Sequence, residues 1–342
     1  RDVDVGISWA RERNIPVSTE LIFGLPFETY DSMIKTLEKS IDQGFDSVML
    51  HNLFLMEGVE LNREEFRNKY RMKTMYRLLG SNYTKIDGEF IAEYEEVLVE
   101  NKFFDFNDFL SIRALNLMFF SVFQGNFYKI FFRFVKDIGM PLVSFFESFM
   151  NPNPEHEWPE GYLRFVKDFK EAARNELYSS LDEMYSDAKE IYERNNDVGE
   201  PVRLNLYYYS RLMYSEKDWL NQVLRQHLIM ENDKIDKNVL RIADNILNIC
   251  ENLIIDLRQP YNNSVLETEF DFDGWKKSKY REPLHNFRDG KRAINFSMRD
   301  SQMEKIRSFC EQNSNLNDRD FGFVAVETIL PRSDLFYEIV YE

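Results

Sequence analysis

Val17-Ser18-Thr19-Glu20-Leu21-Ile22-Phe23-Gly24-Leu25-Pro26-Phe27-Glu28-Thr29 is the stretch whose reading decides the fold. Val17 to Gly24 is a short, apolar, β-rich run, and it breaks at Gly24-Leu25-Pro26, where glycine and proline suit a tight turn. Thr29 or Asp31 can then cap a helix that carries Met33, Ile34, Leu37 and Ile41 on one face and halts at Gly44. A second strand, Asp46 to Leu50, ends at His51-Asn52. Two strands joined by one helix make a β-α-β unit of minimal length, which predicts parallel pairing with a right-handed crossover. In parallel α/β architectures the carboxyl ends of the strands carry the site. Those ends are Gly24 to Thr29 and His51 to Gly58.

At these residues the chain resembles a known family. Glu20 to Thr29, a helix, and then His51-Asn52-Leu53-Phe54-Leu55-Met56-Glu57-Gly58-Val59-Glu60-Leu61 are similar to the late part of a radical SAM barrel. The closest likeness is to the members with a cobalamin (B12)-binding domain. It runs on through Lys69-Tyr70-Arg71-Met72-Lys73 and Glu93-Tyr94-Glu95-Glu96-Val97 to about Phe120, roughly the first third of the chain. The resemblance implies that Ile22 and Gly24 lie against the adenine of S-adenosylmethionine and that Glu28 follows in the helix-entry turn. It also implies an iron-sulfur cluster and, in these relatives, cobalamin as cofactors of the parent enzyme. Two positions depart from the family pattern: Glu20 stands where many members have glycine, and Phe27 replaces the second glycine of the Gly-Leu-Pro-Gly-Glu-Thr form. A Gly-Leu-Pro turn also forms at a strand end without any ligand.

The cluster itself is expected elsewhere. Its ligands in the family are a Cys-x3-Cys-x2-Cys loop near the start of the barrel, and this chain has only Cys250 and Cys310. The chain also starts at Arg1 without methionine, with Asp2 to Arg13 reading as the end of a helix. It therefore reads as a C-terminal piece of a longer enzyme, lacking the N-terminal half of the barrel and inactive alone. His51, at the end of the second strand, is the candidate catalytic residue, although a lone histidine there is more often a structural hydrogen-bonder. His156, His227 and His285 are scattered, without metal-site spacing.

Composition bounds the rest. With 43 Lys plus Arg against 59 Asp plus Glu, the net charge is -16, which argues against nucleic acid as the main partner. Two cysteines give no disulfide framework and point to a reducing cytoplasm. Of 30 phenylalanines, 14 fall between 103 and 149, in helical-length runs. The uncharged interval Ala114 to Tyr128 is 15 residues, short of the ~20 that a bilayer needs. Buried helices are therefore expected rather than a membrane span, with an aromatic pocket for a lipid-like substrate as the weaker alternative.

The predicted organisation is an α/β remnant at 1–61, being late strands of a partial TIM-type barrel, and then a helical Phe-rich extension at 62–150. A Pro-rich linker follows at 151–161, a helical domain at 162–257 and a small α+β end piece at 258–342. Within the extension two helices are expected, Glu64 to Leu79 and one through Phe90, Val97 and Leu98, with Glu89, Glu93, Glu95, Glu96 and Glu100 as a solvated face. A break is expected at 195–201. Cys250 reads as an inert core thiol, and the Lys276, Lys277, Lys279, Arg281 cluster as a solvated turn. The competing functional class is a non-enzymatic helical interaction domain, which would expose Phe119, Phe123 and Phe131 as one patch. Substrate identity is not legible.

Overall fold

A computed structural model describes residues 2–193, 203–231, 235–261, 263–329 and 332–342; the break expected at 195–201 lies outside the described residues. The chain is mixed α/β, mostly helical, with three small sheets among the described residues. It begins with α1 (Asp2–Glu12), β1 (Ser18–Phe23), α2 (Tyr30–Gln43) and β2 (Ser47–Asn52). Next come α3 (Glu64–Tyr70), β3 (Lys73–Ile86), β4 (Glu89–Glu100) and α4 (Phe106–Phe119), which runs into a π-helical turn at Phe120–Gln124. The following helices are α5 (Lys129–Asp137), α6 (Leu142–Met150), α7 (Glu160–Asn175), α8 (Leu181–Glu193), α9 (Leu204–Tyr214), α10 (Lys217–Met230) and α11 (Lys237–Leu253). The last portion holds β5 (Leu266–Phe270), α12 (Phe272–Lys277), β6 (Arg288–Ser297), α13 (Asp300–Gln312), α14 (Asp318–Thr328) and β7 (Glu338–Tyr341). Two compact units emerge, Arg1–Phe120 with Arg164–Tyr207, and Ser121–Leu163 with Tyr208–Glu342. The Pro-rich stretch 151–161 lies inside the second.

In the first unit β1 and β2 pair in parallel, Ser18 opposite Ser47 through Phe23 opposite Asn52. Thr29 caps α2 through a reciprocal bond with Ser32, Met33, Leu37 and Ile41 bury its inner face, and Gly44 closes it with φ +81°. The sheet is a two-stranded fragment, and a partial barrel is not visible in it. Alternation gives it two unlike faces. Phe23, Val48, Leu50 and Asn52 are buried, whereas Glu20, Ile22 and His51 are exposed.

Residues 73–100 are not helical. They form the antiparallel hairpin β3–β4 around Asp87-Gly88. Asp87 at φ +51° and Gly88 at φ +88° fit the primed two-residue turn that matches strand twist. The carboxylates that suggested a solvated helical face are split by this strand geometry. Glu96 accepts from Arg67 and Thr74, each at 2.6 Å, Glu95 pairs with Arg77 and Glu100 with Lys73, so three of the five serve as half-buried ion-pair partners. Leu78 and Ala92 of the hairpin pack on Met184 and Ala188 of α8.

The Phe-rich window folds as α4 to α6, and most of its rings are fully buried. Phe119 and Phe131 are completely covered and Phe123 is 6 % exposed, so the open patch expected of an interaction domain does not form. Among the described residues no helix is long and apolar enough to cross a membrane. In the end piece β5, β6 and β7 form one antiparallel sheet in that order, with α13 and α14 between β6 and β7.

Candidate functional site

The turn after β1 is the most strained feature of the parallel unit. Glu28 N–H donates to Leu25 carbonyl oxygen at 3.0 Å, closing a four-residue turn with Pro26 second and Phe27 third. Phe27 has φ +72°. Proline second and positive φ third define a type II turn, whose third position calls for glycine. Phenylalanine there costs about 1–2 kcal/mol against an ordinary backbone. Yet its ring is 71 % exposed. Phe103 lies 5.1 Å away and Tyr70 6.0 Å away, edge-on.

Gly24, one residue ahead of the turn, has φ +112°, and a Cβ on it would come within 3.2 Å of the Leu53 Cβ. Its carbonyl accepts from the buried Asn101 amide at 3.4 Å. Ile22 is 42 % exposed on the open face of β1. Glu28 is half-buried and accepts from Ser32 Oγ at 2.7 Å, so its carboxylate is tied to the α2 cap. His51 pairs with Ile22 in register, and its Nε2 lies 3.5 Å from Glu20 Oε2. Both side chains are about half exposed or more, so this ion pair contributes well under ~1 kcal/mol to stability. Ile22 and His51 thus stand together on the open face near the carboxyl ends of the two strands, whereas Gly24 is buried against Leu53 and Glu28 is held at the α2 cap.

Asn52 was missed by sequence reasoning. It sits beside His51 on the covered face, is only 9 % exposed, and its Oδ1 has no hydrogen-bond partner. A buried acceptor left without a donor is costly and calls for explanation. Its burial follows from strand alternation, but nothing in the sequence distinguishes it from a satisfied asparagine.

Beneath β2 runs a buried polar chain with no sequence signature. Asn116 Nδ2 donates to Leu50 carbonyl oxygen at 2.6 Å, Asn205 donates to Asn116 at 2.9 Å, and Arg113 reaches both Asn205 and Glu176. Glu176 also takes Arg77 at 3.3 Å. The two guanidiniums hold the Glu176 carboxyl below its ordinary range against desolvation, which pulls the other way more strongly than any single contact. These groups brace β2 from behind.

In the second unit a fully buried imidazole forms another cluster. His227 Nδ1 lies 2.7 Å from Ser148 Oγ and Nε2 lies 2.8 Å from Tyr162 Oη, while that hydroxyl donates to Phe149 carbonyl oxygen at 2.6 Å. With the tyrosine proton so committed, Nε2 carries the imidazole proton and Nδ1 accepts from serine. Trp158 stacks on the ring at 4.5 Å. Burial, reinforced by His156, lowers the His227 pKa to about 4. The arrangement satisfies a neutral histidine inside an aromatic cage. A cleft of about 350 Å³ lies along α10 between His156, Arg225 and Ile229.

The cysteines do not fit an iron-sulfur cluster. Cys250 is buried on α11 with its thiol pushed up to about 12 by desolvation, as befits an inert core residue. Cys310 donates to Leu257 carbonyl oxygen at 3.0 Å. Such a cluster takes closely spaced thiolates, and the chain has these two cysteines alone. Among the described residues no group of three or more His, Cys, Asp or Glu could hold a metal ion. Of the basic cluster, Lys276, Lys277 and Arg281 are exposed as a solvated turn should be, whereas Lys279 Nζ is buried without a hydrogen-bond partner. No family model matches the chain, and no curated protein matches it.

Proposed function

We propose that the chain is the C-terminal part of a radical SAM enzyme of the cobalamin-binding-domain type. In this reading β1 and β2 are late strands of its partial barrel and supply one wall of the S-adenosylmethionine adenosine site. The observation that carries the reading is the Leu25–Glu28 turn. The family form Gly-Leu-Pro-Gly-Glu-Thr has its second glycine where this chain has Phe27, and the backbone there keeps the glycine conformation.

One further feature supports it. Parallel sheets are normally covered on both faces, whereas this one is covered on one face and open where Glu20, Ile22 and His51 stand. The chain's residues would bind and orient: Ile22 and the Gly24 backbone against adenine, Glu28 fixing the turn through Ser32, and His51 with Glu20 facing substrate. S-adenosylmethionine, when bound at a reduced iron-sulfur cluster, supplies the radical chemistry. The cluster ligands belong to another part of the enzyme, so this chain alone is inactive. The helical remainder shapes access to substrate.

The test is the gene sequence upstream of Arg1. A barrel start with a Cys-x3-Cys-x2-Cys loop is the expected result. An open reading frame that begins at or just before Arg1 would exclude the enzyme, because no cluster could then form.

A further inference from the structure

We infer that the Phe27 ring is a stacking platform for a planar heteroaromatic ligand, a purine, at the carboxyl end of β1. This rests on the adenosine-site reading and names the side chain that reads the base.

The turn itself does not want this residue. Glycine suits φ +72° at no steric cost, and phenylalanine does not. Nor does the core use it, since the ring is 71 % exposed while most rings of the Phe-rich window are fully buried. A side chain that is both strained and uncovered points to a role beyond folding. The ring is nevertheless held. Phe103 lies 5.1 Å from it with the planes inclined at 44°, and Tyr70 meets it edge-on at 6.0 Å and 79°. Tyr70 is itself buried, and its carbonyl accepts from Lys102 N–H at 3.0 Å, so the support is anchored to the backbone after β4. Such a ring is pre-positioned, with most of its surface left to a partner, and a π-face stacks on a flat base with little further ordering. Ile22 and Leu25, 42 % and 39 % exposed, add apolar surface at the same strand end.

The experiment is an NMR titration of the chain with adenosine, uridine and ribose 5-phosphate, repeated on F27W, F27L and F27G. F27G is suited to the turn, so loss of binding in it is not loss of fold, and circular dichroism checks this. Adenosine should bind the wild type and F27W, with affinity falling roughly 5- to 150-fold in F27L and F27G. Uridine should bind more weakly and ribose 5-phosphate not at all. If F27G binds adenosine within about twofold of the wild type, the platform is refuted and the backbone-lined adenosine site still stands. If adenosine binds none of the variants at millimolar concentration, the adenosine-site reading falls and the platform falls with it.

Discussion

Replacing Phe27 by alanine and by glycine separates what the ring contributes from what the backbone costs. Just under a third of the ring is buried. On a phenylalanine surface of about 200 Å² that is roughly 60 Å², or about 1.5 kcal/mol of burial lost in either variant. Only glycine also relieves the left-handed strain of about 1–2 kcal/mol. Against that stands the greater freedom of glycine in the unfolded chain, about 0.4–1 kcal/mol. F27A should therefore be about 1.5 kcal/mol less stable than wild type, and F27G more stable than F27A by roughly 0.5–1 kcal/mol. At an ordinary turn position with negative φ the order reverses, because only the unfolded-state term remains. Urea unfolding followed by circular dichroism measures the order, and hydrogen exchange at the Val48 and Leu50 amides localises it to the parallel unit. F27A equal to or more stable than F27G would refute the type II geometry and the family comparison built on it.

Acid should weaken the fold through His227. Its pKa is lowered to about 4, so the unfolded state takes up a proton below pH ~6.5 while the native state stays neutral; the stabilisation is complete above ~6.5 and is lost as pH falls toward 4, by about 3 kcal/mol in total. Urea midpoints at pH 7 and 4.5 measure this, and H227Q should flatten the difference; equal slopes in both proteins would contradict a neutral buried imidazole. E176Q leaves Arg113 and Arg77 without their shared buried carboxylate and should cost about 3–5 kcal/mol in the same assay. G88A places a Cβ at φ +88° and should cost about 1–2 kcal/mol, read as faster amide exchange along β3 and β4 before any change in α11.

The β-α-β unit was legible because its signals are local: an apolar run, a Gly-Pro break, a capping threonine and a glycine stop, all within about thirty residues of each other. The hairpin was missed because the repeated glutamates of β4 suggested a helical face, while Asp87-Gly88, a strong hairpin signal, went unweighed. Two of those glutamates find their arginines across the hairpin or on α3, a pairing invisible without strand register. The buried polar chain joins Asn116, Arg113, Glu176 and Asn205 across dozens of residues and has no spacing to read. Likewise Ser148, Tyr162 and His227 come from three helices. At the candidate site, the sequence pointed to Ile22, Gly24, Glu28 and His51 through resemblance, and it marked Phe27 as a departure. What could not be read was that Phe27 keeps glycine geometry, or that Asn52 rather than its neighbour holds the orphaned polar atom.

The central claim is that the ends of β1 and β2 form a wall of an S-adenosylmethionine site. The most direct measurement is photolabelling of the protein expressed from the complete gene, prepared anaerobically, with radiolabelled S-adenosylmethionine, followed by peptide mapping. Label should fall in the peptides spanning Ile22 to Glu28 or His51 to Leu55, and unlabelled S-adenosylmethionine should compete it away. Competable label confined to peptides outside these two strand ends would contradict the account.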